Sequence, residues 1–493
     1  MKEVLAFAAH MTQSRFGSFC RRATLALAGT LFSTVLWSSN ASAHGGIPRG
    51  FGVIFEPGNE KDIILRSDVW GFFRSNDGGA TWQYACSEVF GGIWSQAEDV
   101  PTMILPGGQI LVANITALYS STDFCDWNQT SPATFGSNTF LEDLISVGSD
   151  LVMLTGSGVD GGIVGKMFRS SDKGQTWTPF ANPLPDDFSP QEIAFAPSDS
   201  KRIYVTGQTI NTNSAVLERS DDGGNTWTSS PIPMTLDPSQ IWTIRISGVH
   251  PTNEDLVFIR ADGLEGLGTT VDDQVWFTKD GGKSGASSFS ELYGGQGDLP
   301  GFTFSPDGTQ LLLAGPNDGI RGATVADVTA SGGAALTQIF DGQVWGLTWM
   351  PDALYAGTND FTPGTQPKFT FGKSTDGGKT FTGIMTVCDV QFGTTCGATS
   401  SIQTACENTW SQFGGYDTDY INGPRCVTPG PDAGPHGGSG GSTSKPASSS
   451  SGCSFSADEG GSPAAASLAL SAFVGGLVAF RLKRRAGQRS RGV

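Results

Sequence analysis

The chain has 493 residues, with 47 Asp and Glu against 30 Lys and Arg, a formal charge of −17. So acidic a molecule repels polyanions, which excludes nucleic acid as a partner and tight docking on anionic membranes with it. Glycine is abundant (68 residues), aromatic residues make up 10% of the chain and long helical periodicities are missing, so an all-α fold is excluded in favour of short strands joined by tight turns.

Residues 1–43 read as an export signal. Arg21-Arg22 precede an apolar run from Ala23 to Trp37, and Ala41-Ser42-Ala43 supplies a small-x-small cleavage pattern, so the mature chain starts at His44 after cutting at Ala43. Met11 competes with Met1 as the start, since residues 1–10 make the leader long.

From Ser75 onward one octapeptide recurs. Ser75-Asn76-Asp77-Gly78-Gly79-Ala80-Thr81-Trp82 has near copies centred on Asp172, Asp222 and Asp376, and eroded copies on Asp123 and Asp280. The aspartates are spaced by 46, 49, 50, 58 and 96 residues. The last step is two periods, so a silent copy belongs near Asp327 and the units number seven. Each octapeptide spells a hairpin: Asp accepts hydrogen bonds from nearby N–H groups, the glycines supply positive φ, and the Trp or Phe opens the next strand and packs between sheets.

A second repeat agrees with the first. Seven apolar runs end in turns at Pro57-Gly58, Pro106-Gly107, Gly148-Ser149, Pro197-Ser198, Pro251-Thr252, Pro306-Asp307 and Pro351-Asp352, and a short apolar strand follows each. The predicted fold is therefore all-β: a seven-bladed β-propeller of four-stranded antiparallel blades over 44–387. The octapeptide resembles the Asp-box, or BNR, repeat of sialidases and related propellers. That resemblance implies a structural role for Asp77, Asp123, Asp172, Asp222, Asp280 and Asp376, at turns away from the working face.

Candidate chemistry sits at the ends of the second strands. Leu65-Arg66-Ser67-Asp68 and Ile259-Arg260-Ala261-Asp262 share one motif, and Asp318 and Asp360 occupy the equivalent place in blades six and seven, with Asp160 on a nearby loop. All are expected on the face opposite the octapeptide turns, where Arg66, Asp68, Arg260, Asp262, Asp318 and Asp360 form a candidate ligand-binding ring. Four long connections, 156–166, 206–216, 262–275 and 358–368, are expected to crowd that face as loops. Clustered carboxylates can hold a cation such as calcium or act as a glycosidase acid and base. No resident cofactor or metal is otherwise expected. Residues 50–82 look like the opening blade of the two-propeller xyloglucan-hydrolysing glycosidases, in which the aspartate matching Asp68 is catalytic; its partner there comes from a second propeller that this chain lacks. If the chain is an enzyme, Asp68 and Asp262 are its candidate catalytic pair.

Sialidase chemistry is disfavoured. Arg74, Arg169 and Arg219 directly precede octapeptides and are expected to cover aromatic surface with their stems. Arg49, Arg66, Arg202, Arg245, Arg260, Arg321 and Arg425 form no visible triad. Of the histidines, His44, His250 and His436 follow the signal, and no motif supplies a second ligand to an N-terminal copper site at His44.

Residues 388–426 read as a small Cys-rich cap that helps to seal the ring. Six cysteines, Cys86, Cys125, Cys388, Cys396, Cys406 and Cys426, allow fifteen disulfide pairings. Cys86 and Cys125 lie in adjacent blades and are placed to staple them, while the other four crowd the cap. Residues 427–452, rich in Pro, Gly and Ser, are expected to form a disordered stalk. Cys453 opens the tail 453–493, in which 463–480 is an apolar stretch near the lower length limit of a membrane helix and 481–485 is basic. Stalk cysteine, short span and basic end resemble the myxobacterial C-terminal sorting signal (MYXO-CTERM type). The resemblance implies processing near Cys453 by sorting machinery and attachment of the product at the cell surface or outer membrane; the other reading is a permanent inner-membrane anchor.

Between the signal and the tail, residues 44–452 carry 20 basic against 44 acidic residues, a charge of −24. The function expected from the sequence is a monomeric, surface-displayed propeller that binds a glycan or a protein through its loop face without turning it over. The alternative is a glycoside hydrolase acting on a neutral polysaccharide. A third idea is an assembly factor like the propellers of photosystem II biogenesis.

Overall fold

The computed structural model describes residues 49–67, 71–92, 100–130, 133–136, 139–159, 162–237, 240–263, 272–359, 367–392 and 395–419. The export signal, stalk, Cys453, the apolar stretch 463–480 and its basic end lie outside them, as do Asp68, Asp160, Asp360 and Cys426. Among the described residues no helix is long and apolar enough to cross a membrane.

Seven sheets follow one another along the chain, each an antiparallel meander of four consecutive strands. Blade 1 is β1 (Gly50–Glu56), β2 (Asn59–Ser67), β3 (Gly71–Ser75) and β4 (Trp82–Cys86). Blade 2 is β5 (Thr102–Ile104), β6 (Ile110–Asn114), β7 (Ala117–Ser121) and β8 (Asn128–Thr130). Blade 3 is β9 (Thr139–Val147), β10 (Asp150–Val159), β11 (Gly162–Ser170) and β12 (Thr178–Pro179). Blade 4 is β13 (Phe188–Ala196), β14 (Asp199–Thr209), β15 (Ala215–Ser220) and β16 (Thr228–Pro231). Blade 5 is β17 (Trp242–Val249), β18 (Val257–Gly263), β19 (Gln274–Thr278) and β20 (Phe289–Gly294). Blade 6 is β21 (Gly301–Phe304), β22 (Gln310–Gly315), β23 (Gly319–Thr324) and β24 (Thr337–Phe340). Blade 7 is β25 (Val344–Trp349), β26 (Leu354–Thr358), β27 (Phe371–Ser374) and β28 (Thr382–Met385). First strands of neighbouring blades pack against one another around the axis.

The octapeptides form the turns between third and fourth strands. In blade 1, Asp77 Oδ1 accepts from the N–H groups of Ala80 and Thr81, both at 2.9 Å, and Asp77 Oδ2 from the Thr81 hydroxyl at 2.6 Å. The Ser75 hydroxyl accepts from Gly79 N–H at 2.8 Å. Gly78 and Gly79 both have positive φ, 78° and 95°, which only glycine adopts cheaply. The same constellation recurs at Asp172, Asp222 and Asp376.

Each aromatic that closes a turn reaches back to the preceding blade. Trp82 meets Phe371 of blade 7 at 5.5 Å between ring centroids, Trp127 meets Phe90 at 5.0 Å, and Phe381 meets Phe340 of blade 6 at 5.2 Å. Blade 6 departs from the pattern. Where the silent copy was expected, Asp327 lies in the first turn of α1 (Val325–Ser331), and the Thr324 side chain caps the helix by accepting from Asp327 N–H at 3.1 Å. Val325 and Val328, one helical turn apart, fill the space against blade 5 that an aromatic fills elsewhere.

The octapeptide carboxylates make stability acid-sensitive. Hydrogen bonds from the Thr176 hydroxyl and backbone hold Asp172 at about 2, against an ordinary 3.8, and the Thr226 groups hold Asp222 at about 2 likewise. Because the folded values are depressed, this stabilisation is fully present above the unfolded value and is lost as pH falls through the folded one. The urea midpoint is expected to drop between pH 5 and pH 3. In Asp222→Asn it is expected to start lower at pH 7 and to change less with acid; an unaltered pH slope in the variant would exclude this linkage.

The Cys-rich segment was expected to help seal the ring with no strand shared between blades 7 and 1; after blade 7 the chain does cross to blade 1, where β29 (Val390–Gln391) adds to the outer edge of β4 as a parallel fifth strand. It then runs into α2 (Ser401–Asp419). Cys86 does not pair with Cys125: Cys86 bonds to Cys406 in α2, and Cys125 bonds to Cys396. Cys388 is also disulfide-bonded. The expected cap is therefore a clasp that spans the seam and grips blades 1 and 2. Asp126 of blade 2 accepts from Ser401 N–H at 2.9 Å, which places a carboxylate at the N-terminus of α2. Trp410 lies against Tyr84 at 5.6 Å.

Candidate functional site

Antiparallel pairing puts the start of each first strand and the end of each second strand at the same edge of its blade. The first halves of all seven innermost strands line an axial cavity of about 330 Å³. Its walls include Phe51, Gly52 and Arg66 from blade 1, Thr102 from blade 2, Glu142 and Asp143 from blade 3, and Gln191 and Glu192 from blade 4. Arg245, Phe302 and Thr348 complete it from blades 5, 6 and 7.

Irregular pairing equips this wall. Register shifts leave one extra residue at Phe51, Glu142, Gln191 and Trp345, near the start of β1, β9, β13 and β25. An extra residue redirects side chains locally. Gln191 uses both ends of its amide on blade 5, donating to Trp242 O at 3.1 Å and accepting from Ile244 N–H at 2.8 Å. Asp143 accepts from Leu144 N–H at 2.7 Å and from Ile193 N–H of blade 4 at 3.0 Å. Arg66 lies over Gly52, where a Cβ would come within 3.3 Å of the guanidinium, and it donates to Val100 O at 2.9 Å. These groups stitch neighbouring blades together at the cavity wall.

Glu142 is different. It is half-buried, and no hydrogen bond or ion pair reaches its carboxyl from the described residues. Burial against the wall, with the negative charge of Asp143 beside it, raises its pKa to about 7.

The sequence-expected residues divide. Arg66 lines the cavity. Arg260 and Asp262 are buried behind it in an ion network: Asp262 accepts from Arg245 at 2.8 Å and lies 3.5 Å from Arg260, which donates to Asp273 at 3.1 Å. Asp273 is fully buried and also accepts from Leu299 N–H at 2.8 Å and Gly263 N–H at 3.2 Å. Asp318 is buried as well, accepting from the Tyr293 hydroxyl at 2.6 Å and from Gln296 N–H at 2.9 Å. The carboxylate ring does not assemble from its described members, and among the described residues no group of three or more His, Cys, Asp or Glu side chains is arranged to hold a metal. Of the arginines before octapeptides, Arg74 stacks over Phe124 and Arg169 over Phe180, while Arg219 pairs with Asp221. Two of the four expected loops are instead strand hairpins: β10 and β11 stay paired out to Val159 and Gly162, and β14 and β15 out to Gln208 and Ala215.

A family model described as Sortilin-Vps10 ("Sortilin, neurotensin receptor 3") matches residues 165–293, from the third strand of blade 3 to the fourth of blade 5. No curated protein matches the chain. Among solved structures, the GH74 enzyme of Niastella koreensis is 16% identical with a TM-score of 0.29, over 68% of this chain and 62% of that one. The GH74 xyloglucanase of Xanthomonas campestris is 13% identical with a TM-score of 0.29, over 68% and 64%. This chain thus spans less than two thirds of either. The GH93 α-L-arabinofuranosidase of Fusarium graminearum, solved with arabinobiose, is 14% identical with a TM-score of 0.35, over 52% and 87%. Likenesses of this strength decide nothing about what the chain does.

Sequence reasoning passed over Glu142 and Arg245 as site residues. Both stand on innermost strands, whereas the repeated Arg-x-Asp motif lies at the ends of the second strands. One signal was available: the Glu142-Asp143 doublet interrupts an otherwise apolar strand, Phe140-Leu141 before it and Leu144-Ile145 after it.

Proposed function

We propose that this chain is an exported, surface-anchored propeller that binds a glycan in its axial cavity from the loop face and does not turn it over. In this reading the octapeptide turns are Asp-boxes of the BNR type, residues 1–43 are the export signal, and the tail from Cys453 directs attachment at the cell surface. The observation that carries it is the cavity itself. At about 330 Å³ it falls at the small end of ligand pockets, and it mixes donors (Arg66, Arg245), acceptors (Glu142, Glu192), a hydroxyl (Thr348) and a ring (Phe302). Sugar hydroxyls both donate and accept, and a sugar's C–H face stacks on aromatics, so such a wall suits them. Ile115 and Ile241, the exposed large apolar side chains among the described residues, sit at the same edge of blades 2 and 5 and would extend the contact surface.

A second reading, glycoside hydrolysis, draws on Glu142, a carboxyl that keeps its proton near neutrality, next to the hydrogen-bonded carboxylate Asp143. It is the weaker one, because Asp262, half of the sequence-expected catalytic pair, is tied up by two arginines. A glycan and polysaccharide array with the full-length protein, read for retained protein and for released sugar, tests both. Retention without release is expected. Release would transfer the assignment to the hydrolase, and silence on both would redirect it to a protein partner.

A further inference from the structure

The side chains around the axial cavity are not equally available to a ligand. Among the described residues, the charged groups facing it are Arg66, Glu142, Asp143, Glu192 and Arg245; the described residues of blades 2, 6 and 7 contribute none. Arg66 is committed to Val100 O and Arg245 to Asp262. Both oxygens of Asp143 accept backbone N–H groups. Glu192 is engaged as well, and its Oε2 is buried out of reach of solvent. Glu142 stands on the wall without a hydrogen bond or ion pair from the described residues. A neutral ligand would find one acceptor there. A positively charged one would find the missing counter-charge, inside a molecule whose residues 44–452 already carry −24.

We propose that Glu142 is the specificity-determining residue of the cavity and that it selects ligands carrying a primary ammonium group. The inference rests on the glycan-binding reading and narrows it to amino sugars with a free amine; a lysine side chain on a partner protein carries the same chemistry. A metal ion is a poor rival, since no three acidic side chains among the described residues converge on one point.

Proton linkage follows. Burial and Asp143 keep Glu142 partly protonated near pH 7, and an ammonium seated against it stabilises the carboxylate. Binding therefore expels a proton from Glu142 to the buffer, roughly half a proton per site at pH 7. Affinity rises as pH is raised from 5 to 7.5, as long as the amine stays charged.

The test is calorimetry on the full-length protein with four probes: D-glucosamine, D-glucose, N-acetyl-D-glucosamine and n-butylamine. Each is titrated in two buffers of different ionisation enthalpy. Glucosamine is expected to bind at least tenfold more tightly than glucose or N-acetylglucosamine, with net proton release. In Glu142→Gln that preference and the release are expected to disappear. The proton count is read on the wild-type protein, so the proposal stays testable should the variant not fold. Equal binding of all three sugars without proton release overturns the selectivity and leaves glycan binding standing. Binding of butylamine alone keeps the ammonium site and points to lysine rather than sugar. No binding by any probe overturns both.

Discussion

Removing one clasp disulfide, by Cys86→Ala together with Cys406→Ala, is expected to lower the melting temperature by roughly 5–10 °C. The bond joins residues 320 apart in sequence, and Cys125–Cys396 joins residues 271 apart. Cross-links over such long loops restrict the unfolded chain strongly, and the loss is about 3–5 kcal/mol for the first bond removed if loop-closure entropy governs. The effect is more than entropic here. Cys406 Sγ accepts from Cys86 N–H at 3.1 Å, and the bond holds α2 against the outer strand of blade 1. Without it β29 and α2 still keep the pairing of β29 with β4, hydrogen bonds such as Asp126–Ser401, Ile402–Cys125 and Glu88–Thr409, the Trp410 contacts and the second disulfide. Faster proteolysis after Thr386 should accompany the lower midpoint. A double variant that melts with the wild type and resists protease equally would show that the clasp is ornamental and that the seam is held by its inner strands.

Arg260→Met is expected to cost about 3–5 kcal/mol at neutral pH, because it leaves the fully buried Asp273 without its cation and Asp262 with Arg245 alone. Asp273 is fully buried and Asp262 nearly so, and Arg260 lies between them. Burial drives the Asp273 pKa upward, and the Arg260 guanidinium opposes that rise. For a carboxyl whose folded value is raised, stability is greatest below the unfolded value and is lost as pH climbs through the folded one. Removing the arginine raises the folded value further. The variant should therefore be weakest at pH 7–8 and recover part of the difference near pH 5, where protonation removes a buried charge. Urea unfolding of both proteins at the two pH values measures this. A deficit that does not shrink with acid would mean that lost packing, not stranded charge, is responsible.

The two predictions draw on different parts of the molecule, and the sequence spoke unequally about them. Seven blades could be counted from octapeptide spacing because the Asp–Thr–glycine constellation is local: the hydrogen bonds of its Ser, Asp and Thr side chains lie within five residues. Even the silent position near Asp327 was placed correctly. Its replacement by a helix was also written locally, as Thr324 followed three residues later by Asp327, a capping pair that the repeat template concealed. The disulfides were not readable, because the chain must travel once around the ring before Cys406 meets Cys86, and no local pattern encodes that return. Asp262 and Asp318 looked like a shared ring since both end second strands. Their actual partners, Arg245 on the adjacent strand and Tyr293 of the preceding blade, are set by tertiary structure. Glu142 was missed for the converse reason: its importance lies in what fails to contact it.

The clasp also has a bearing on how the molecule is made. Everything that it fastens precedes it in the chain, so a polypeptide emerging from its amino end holds the Cys86 thiol and the open flank of β4 unprotected until some 320 residues later. Nascent or truncated chains ending before Cys406 would present an unpaired strand edge to their neighbours. Premature termination in the last blade should therefore yield sticky, intermolecularly cross-linked material, not merely a shorter product.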